Sequence, residues 1–192
     1  MESCKKKTVI YFVKGKLTDQ TFNQPLSGVD LTVDINGAGS SLDLKYTTLT
    51  TDANGEYSFE IERSRFTKLI IHGTKENYFD FTSQINISNM SVDEDNVVDL
   101  STTAMAWVRL KFDNTGGSQN DNFEYVVIDG LKDCEDCCPN TRSFSGEGIH
   151  EFVCVNEGKT NYSIDWVHVG VKADFASVYT EAFDTTELLV EF

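Results

Sequence analysis

The sequence predicts an all-β protein built from two consecutive antiparallel β-sandwich domains, and three observations predict it. Apolar and polar residues alternate in Val29-Asp30-Leu31-Thr32-Val33-Asp34-Ile35, in Tyr57-Ser58-Phe59-Glu60-Ile61-Glu62 and in Val108-Arg109-Leu110-Lys111-Phe112-Asp113. A period of two puts one face of a strand in the core and the other in water, as in antiparallel sheet. Turn-forming residues punctuate these runs at short intervals, and no apolar stripe at i, i+3, i+4 persists, so helix is expected below about a tenth of the chain.

Taken in order, strands are expected over residues 8–17, 29–35, 42–50, 57–62, 67–73 and 95–101, then 108–113, 123–129, 148–155, 161–169, 174–180 and 186–192. Ser27-Gly28, Asn36-Gly37, Asn54-Gly55, Asn114-Thr115-Gly116-Gly117 and Asn156-Glu157-Gly158 separate them. Asn and Gly tolerate the positive φ that tight turns demand, which is why they stand there. One sandwich of immunoglobulin size takes about seven strands in ~100 residues, so 192 residues hold two. The polar break Ser101-Thr102-Thr103 sets the expected boundary: a tether at 1–7, a first sandwich at 8–103 and a second at 104–192.

Composition narrows the function classes. With 40% hydrophobic and 11% aromatic residues the chain is globular in character, and two prolines leave no stiff linker. No apolar run approaches the ~20 residues a membrane-spanning helix needs. A formal charge of −15 repels phosphate backbones, so no nucleic-acid partner is expected. The exception to the acidic balance is the start, where Lys5, Lys6, Lys7, Lys14 and Lys16 stand against Glu2 alone within residues 1–16.

A family pattern lies in the first half. Val13-Lys14-Gly15-Lys16-Leu17-Thr18-Asp19, then Gln24-Pro25-Leu26-Ser27-Gly28-Val29, then Thr50-Thr51-Asp52-Ala53-Asn54-Gly55-Glu56-Tyr57-Ser58-Phe59 together resemble the carboxypeptidase regulatory-like domain. That resemblance implies a transthyretin-like sandwich of seven strands acting as spacer, docking platform or assembly aid. It implies no peptidase: His72, His150 and His168 stand in no zinc-protease motif. In some Gram-positive relatives a Lys–Asn isopeptide bond staples the sandwich. Lys14 or Lys16 with Asn96 would be the residues for it, although ordinary exposed side chains are the preferred reading. The last ten residues, Phe183 to Phe192, following a Tyr162-Ser163-Ile164-Asp165-Trp166 strand, look similar to the closing strands of two-domain lipoproteins of the Bacteroidota.

Four of the five cysteines, Cys134, Cys137, Cys138 and Cys154, fall in the second half. With His150, three of them have the spacing of a small zinc site, Cys134, Cys137, His150 and Cys154. Residues 148–155 read as a strand, however, where four residues span about 13 Å, too far for two ligands of one ion. Disulfides are therefore expected and no metal. Bonding Cys137 to Cys138 is disfavoured because adjacent Cα atoms lie too close. Cys154 then bonds Cys137 or Cys138, with Cys134–Cys137 plus Cys138–Cys154 the favoured set.

The remaining constellations are read as structural. Asp93, Glu94, Asp95, Asn96 and Asp99, and Asp113, Asn114, Asn120, Asp121 and Asn122, offer oxygens for calcium but match no EF-hand loop and read as solvated turns. Trp107, Trp166, Tyr125, Tyr162 and Tyr179 are candidates for a sugar-stacking platform, with core packing the preferred reading. No nucleophile elbow or phosphate-cradling loop occurs, so no catalytic residue and no cofactor is expected.

Disulfides point to an oxidising compartment, and Ser3-Cys4 resembles the end of a bacterial lipobox. Cys4 is then the lipid attachment site, with the apolar leader expected upstream and the lysines beginning a short tether beside anionic headgroups. The expectation is a non-catalytic lipoprotein of the bacterial cell envelope, periplasm-facing or on the surface. It would touch the membrane only through its lipid and serve as adhesion, scaffold or docking module for an envelope protein or glycan. A glycan-binding accessory protein of a polysaccharide-uptake system is the alternative, and a secreted enzyme of unrecognised type the third.

Overall fold

A computed structural model describes residues 9–37, 43–132 and 134–191. The protein is all-β: sixteen strands and one three-residue 3-10 turn, Ile87–Asn89, make up its regular structure among the described residues. The chain divides between Thr102 and Thr103 into two compact units.

In the first unit β1 (Ile10–Asp19) is the hub of one sheet. It pairs antiparallel with β2 (Gln24–Pro25) and β5 (Glu56–Glu62), and parallel with β8 (Asn96–Val97) and β9 (Leu100–Thr102). The facing sheet has the order β4-β3-β6-β7, from β3 (Asp30–Gly37), β4 (Asp43–Thr50), β6 (Phe66–Thr74) and β7 (Phe81–Asn86). The alternation does the work expected of it: Tyr11, Val13, Val33, Ile61, Phe66 and Leu69 share one buried cluster.

The expected strand at 95–101 is two strands. Between them Val98 turns its backbone onto β1, its N–H donating to the Lys14 carbonyl at 2.8 Å and its own carbonyl accepting the Tyr57 hydroxyl at 2.6 Å. Gly15 permits this approach, since a Cβ there would run into the Val98 carbonyl. Burial, and then the nearby charge of Asp99, push the Tyr57 hydroxyl pKa up. Asp99 in turn accepts the Lys16 N–H at 2.9 Å. Pro25 lies in the edge strand β2 opposite Thr18, a position that asks nothing of its missing N–H.

The second unit stacks the order β13-β10-β16 against β12-β11-β14-β15. These are β10 (Met105–Asn114), β11 (Asn122–Asp129), β12 (Thr141–Ser145), β13 (Gly148–Glu157), β14 (Thr160–His168), β15 (Lys172–Thr180) and β16 (Thr185–Glu191). All pairs are antiparallel except β10 with β16. In each unit, then, the first strand also pairs in parallel with the last. The core is aromatic: Phe112 stacks on Tyr125 at 5.5 Å between centroids and meets Phe144 edge-on at 4.9 Å. Strands β7 and β12 were not expected from the sequence. Thr141-Arg142-Ser143-Phe144-Ser145 carries one apolar residue, too little to show a period.

Candidate functional site

The cysteine segment connects β11 to β12. It leaves β11 after a register shift between Val127 and Asp129, turns at Gly130 (φ 114°), and is then held by Asn156 of β13. The fully buried Asn156 accepts the Leu131 N–H at 2.9 Å, while its amide nitrogen donates to the hydroxyls of Thr160 and Thr180 at 3.1 and 3.2 Å. Further on, the Asp136 carbonyl accepts the Val155 N–H at 2.9 Å and the Asn140 carbonyl accepts the Val127 N–H at 2.8 Å. Between these ties Cys134 bonds Cys137, and Cys138 bonds Cys154. Cys138 and Cys154 belong to the buried core of the unit, at 2% and 4% exposure, whereas Cys134 is exposed and Cys137 half-buried.

The zinc spacing is not assembled. His150 lies on strand β13 opposite Phe112, packed against the Phe144 ring at 4.6 Å, and Cys154 faces Val108 four pairs further along. Among the described residues no group of three or more His, Cys, Asp or Glu side chains is placed to hold a metal ion.

The acidic clusters engage their side chains within the fold, the first mainly on β1 and the second mainly on its own turn. Asp95 pairs with the Lys14 ammonium at 2.6 Å, an exposed contact whose hydrogen bond raises the lysine pKa. The Asn96 side chain accepts the Ser91 N–H at 2.7 Å and donates to the Phe12 and Ser91 carbonyls at 2.9 Å, so Lys14 meets Asp95 rather than Asn96. In the other cluster Asp121 accepts the Ser118 N–H at 2.7 Å and the Asn114 amide at 3.1 Å, and faces His168 at 3.4 Å. The Ser118 hydrogen bond, followed by that of Asn114, lowers its pKa. Asp113 likewise accepts the Thr115 N–H at 3.0 Å.

Three of the five aromatic candidates are core residues: Tyr125, Tyr162 and Trp166 are buried. Trp107 is half-buried on the outer side of β10. Tyr179 is exposed, and the structure sets it beside a residue the sequence reading passed over, Phe175. Both point outward from β15, four residues apart, roughly 13 Å along the strand. On β14 the residues opposite are Asp165 for Phe175, Ser163 for Ser177 and Asn161 for Tyr179, and the two serine hydroxyls share a hydrogen bond of 2.8 Å. On β11 Val126 is the residue opposite Asp165. Phe175, Tyr179, Val126 and Ile128 are between 44% and 55% exposed, on a sheet face that also carries Asn161, Asp165 and Ser177. The alternation Ala173, Phe175, Ser177, Tyr179 was the available signal. The sequence cannot say which of the two faces of β15 is covered.

No family model matches the sequence, and no curated protein matches it. Among solved structures the chain is similar to the Bacillus anthracis TIE protein, at 14% identity and a TM-score of 0.42, over 95% of this chain. It spans about a third of that protein, 34% of its length. It is also similar to the shaft pilin SpaA of Lactobacillus rhamnosus GG, at 12% identity and a TM-score of 0.35, over 96% of this chain and 98% of the pilin. Half of it, 52%, is similar to 62% of the 3-chlorocatechol 1,2-dioxygenase of Rhodococcus opacus 1CP, at 13% identity and a TM-score of 0.39. Likenesses of this degree assign no function.

Proposed function

We propose that the chain is a non-catalytic module of the bacterial cell envelope, anchored through a lipid on Cys4, that uses its second sandwich to dock an envelope partner. In this reading the first sandwich is a spacer of the carboxypeptidase regulatory-like kind. Cys4 lies outside the described residues. The observation that supports docking is the outer face of β12-β11-β14-β15. Single exposed apolar residues are ordinary on a protein surface, but Phe175, Tyr179, Val126 and Ile128 share one sheet face. Grouped apolar surface of this kind marks interaction sites.

A glycan partner is the second reading, favoured by one feature of the same face. Two exposed aromatic rings flank the exposed Ser177, next to Asp165 and Asn161. Rings stack on the apolar sides of sugars while such polar groups take their hydroxyls.

The test uses the full chain and its Phe175→Ser/Tyr179→Ser double variant, immobilised and offered purified envelope proteins and a glycan array. Docking through this face predicts protein ligands retained by the parent and lost by the variant at an unchanged melting temperature. Retention of glycans instead, lost in the same variant, selects the second reading. A ligand held equally by both chains removes the face from either one.

A further inference from the structure

We infer that Cys134–Cys137 is a reversible thiol–disulfide exchange site on the second unit, opened by an external dithiol while Cys138–Cys154 stays closed.

The two disulfides are neighbours in sequence and opposites in setting. Exchange begins with a thiolate reaching a sulfur atom, so access decides which bond reacts. Cys134 is exposed, whereas both sulfurs of the second bond lie in the core cluster with Tyr125, Tyr162 and Leu188. Reaching Cys138 or Cys154 requires unfolding. Reaching Cys134 does not.

Opening the outer bond also leaves its loop in place. The Cys137 N–H donates to the Cys134 carbonyl at 3.3 Å, closing the same turn without the sulfurs. The ties from Val155 to Asp136, from Val127 to Asn140 and from Leu131 to Asn156 hold the flanking backbone, and Cys138–Cys154 clamps the next residue. The outer bond spans a sequence separation of 3 against 16 for the inner one, so it restricts the unfolded chain less and the fold depends on it less.

Charge sets the direction of the chemistry. The two residues inside the motif, Glu135 and Asp136, are both exposed acids. Negative neighbours disfavour a thiolate, so the opened pair is a weak attacker of other disulfides. Its passage to the inner bond is blocked by burial of both Cys138 and Cys154, and attack on Cys138 by Cys137 would in addition make a strained vicinal disulfide. The site is thus a substrate for a dithiol partner rather than an oxidant of other proteins.

In the exchange, a partner thiolate attacks the Cys134 sulfur. The bond to Cys137 breaks, and Cys137 leaves as a thiolate and takes a proton. The partner's second thiol then attacks its own sulfur in the mixed disulfide and releases Cys134, which is protonated in turn. Two electrons and two protons pass from the dithiol, which becomes a disulfide, to the protein.

The experiment uses the folded full chain. Thiols already free, Cys4 included, are blocked with a maleimide. Dithiothreitol is added at neutral pH without denaturant, and samples are quenched with iodoacetamide for peptide mass spectrometry. Cys134 and Cys137 should be labelled together, about tenfold or more faster than Cys138 and Cys154. The circular dichroism spectrum should not change, and oxidised dithiothreitol should restore the bond. Labelling only after denaturation, or of all four cysteines at one rate, would overturn the proposal. So would failure of the Cys134→Ser/Cys137→Ser variant to fold, because the outer bond would then be part of the fold.

Discussion

Asp19 shows how far a single buried residue can organise its surroundings. Its carboxylate is fully buried yet satisfied three times, by the N–H groups of Thr21 and Phe22 at 2.9 and 3.2 Å and by the Tyr78 hydroxyl at 2.9 Å. Burial first, and then the hydrogen bond to Asp19, push the Tyr78 pKa up to about 12. The sign of the linkage follows. A proton held more tightly in the folded state than in the unfolded one stabilises the fold fully below the ordinary tyrosine value of 10.0, and that contribution is lost as pH rises toward about 12. Thermal unfolding followed from pH 9 to pH 12 should therefore show a falling midpoint above about pH 10. Tyr78→Phe should flatten that fall. An unchanged slope in the variant would mean that the pair carries none of it.

Tyr125 and Tyr162 present the reverse case. Their hydroxyls are buried in the aromatic core without a hydrogen-bond partner among the described residues, and burial raises both pKa values. Here packing of the rings outweighs an unmade bond, whose cost is about 1–3 kcal/mol.

Among elements, β1 carries the first unit, and its glycine decides how the unit closes. Alternation in β1 works because Tyr11, Val13 and Leu17 face the core, while Gly15 is the one inward position with no side chain. The vacated volume is filled by the backbone between β8 and β9 and by the Tyr57 hydroxyl bonded to it. Gly15→Ala would normally favour a strand slightly, by less than about 1 kcal/mol. Here the added Cβ meets a backbone carbonyl, which has no rotamer to retreat into. The substitution should instead destabilise the first unit by roughly 1–3 kcal/mol, the usual cost of overpacking, and should speed hydrogen exchange at the Val98 amide, which binds Lys14. Unaltered protection at Val98 would show that the β8–β9 connection does not depend on this contact.

At the scale of the whole molecule the two units differ in what holds them. The first has no cysteine among its described residues. The second closes a loop of sequence separation 16 with Cys138–Cys154, which the chain-entropy estimate values at about 3 kcal/mol. That is a large share of the ~5–15 kcal/mol typical of a domain. Complete reduction should accordingly lower the melting transition of the second unit and leave the first as an internal control, while a chelator should move neither. Calorimetry with and without reductant checks this, and a transition sensitive to chelator but indifferent to reductant would sink it.

What the sequence determined by itself is the class of structure and most of its strands, because a period of two and Asn-Gly turn chemistry are local properties. Val29 to Ile35 and Val108 to Phe112 announce their inner faces without help from the rest of the chain. Strands whose pattern is thin, such as β12 with Phe144 alone, exist because a neighbour offers backbone partners, and only the fold supplies those. The same limit governs the sites. Spacing removed the vicinal cysteine pair from consideration, but which cysteine meets Cys154 depends on the loop being drawn onto β13 by Asn156 and Val155. The aromatic residues make the point most directly. Tyr162, Trp166, Phe175 and Tyr179 all look alike in an alternating strand. Tertiary structure buried the first two and left the last two in water, since a sheet has two faces and only the packing of the second sheet chooses between them.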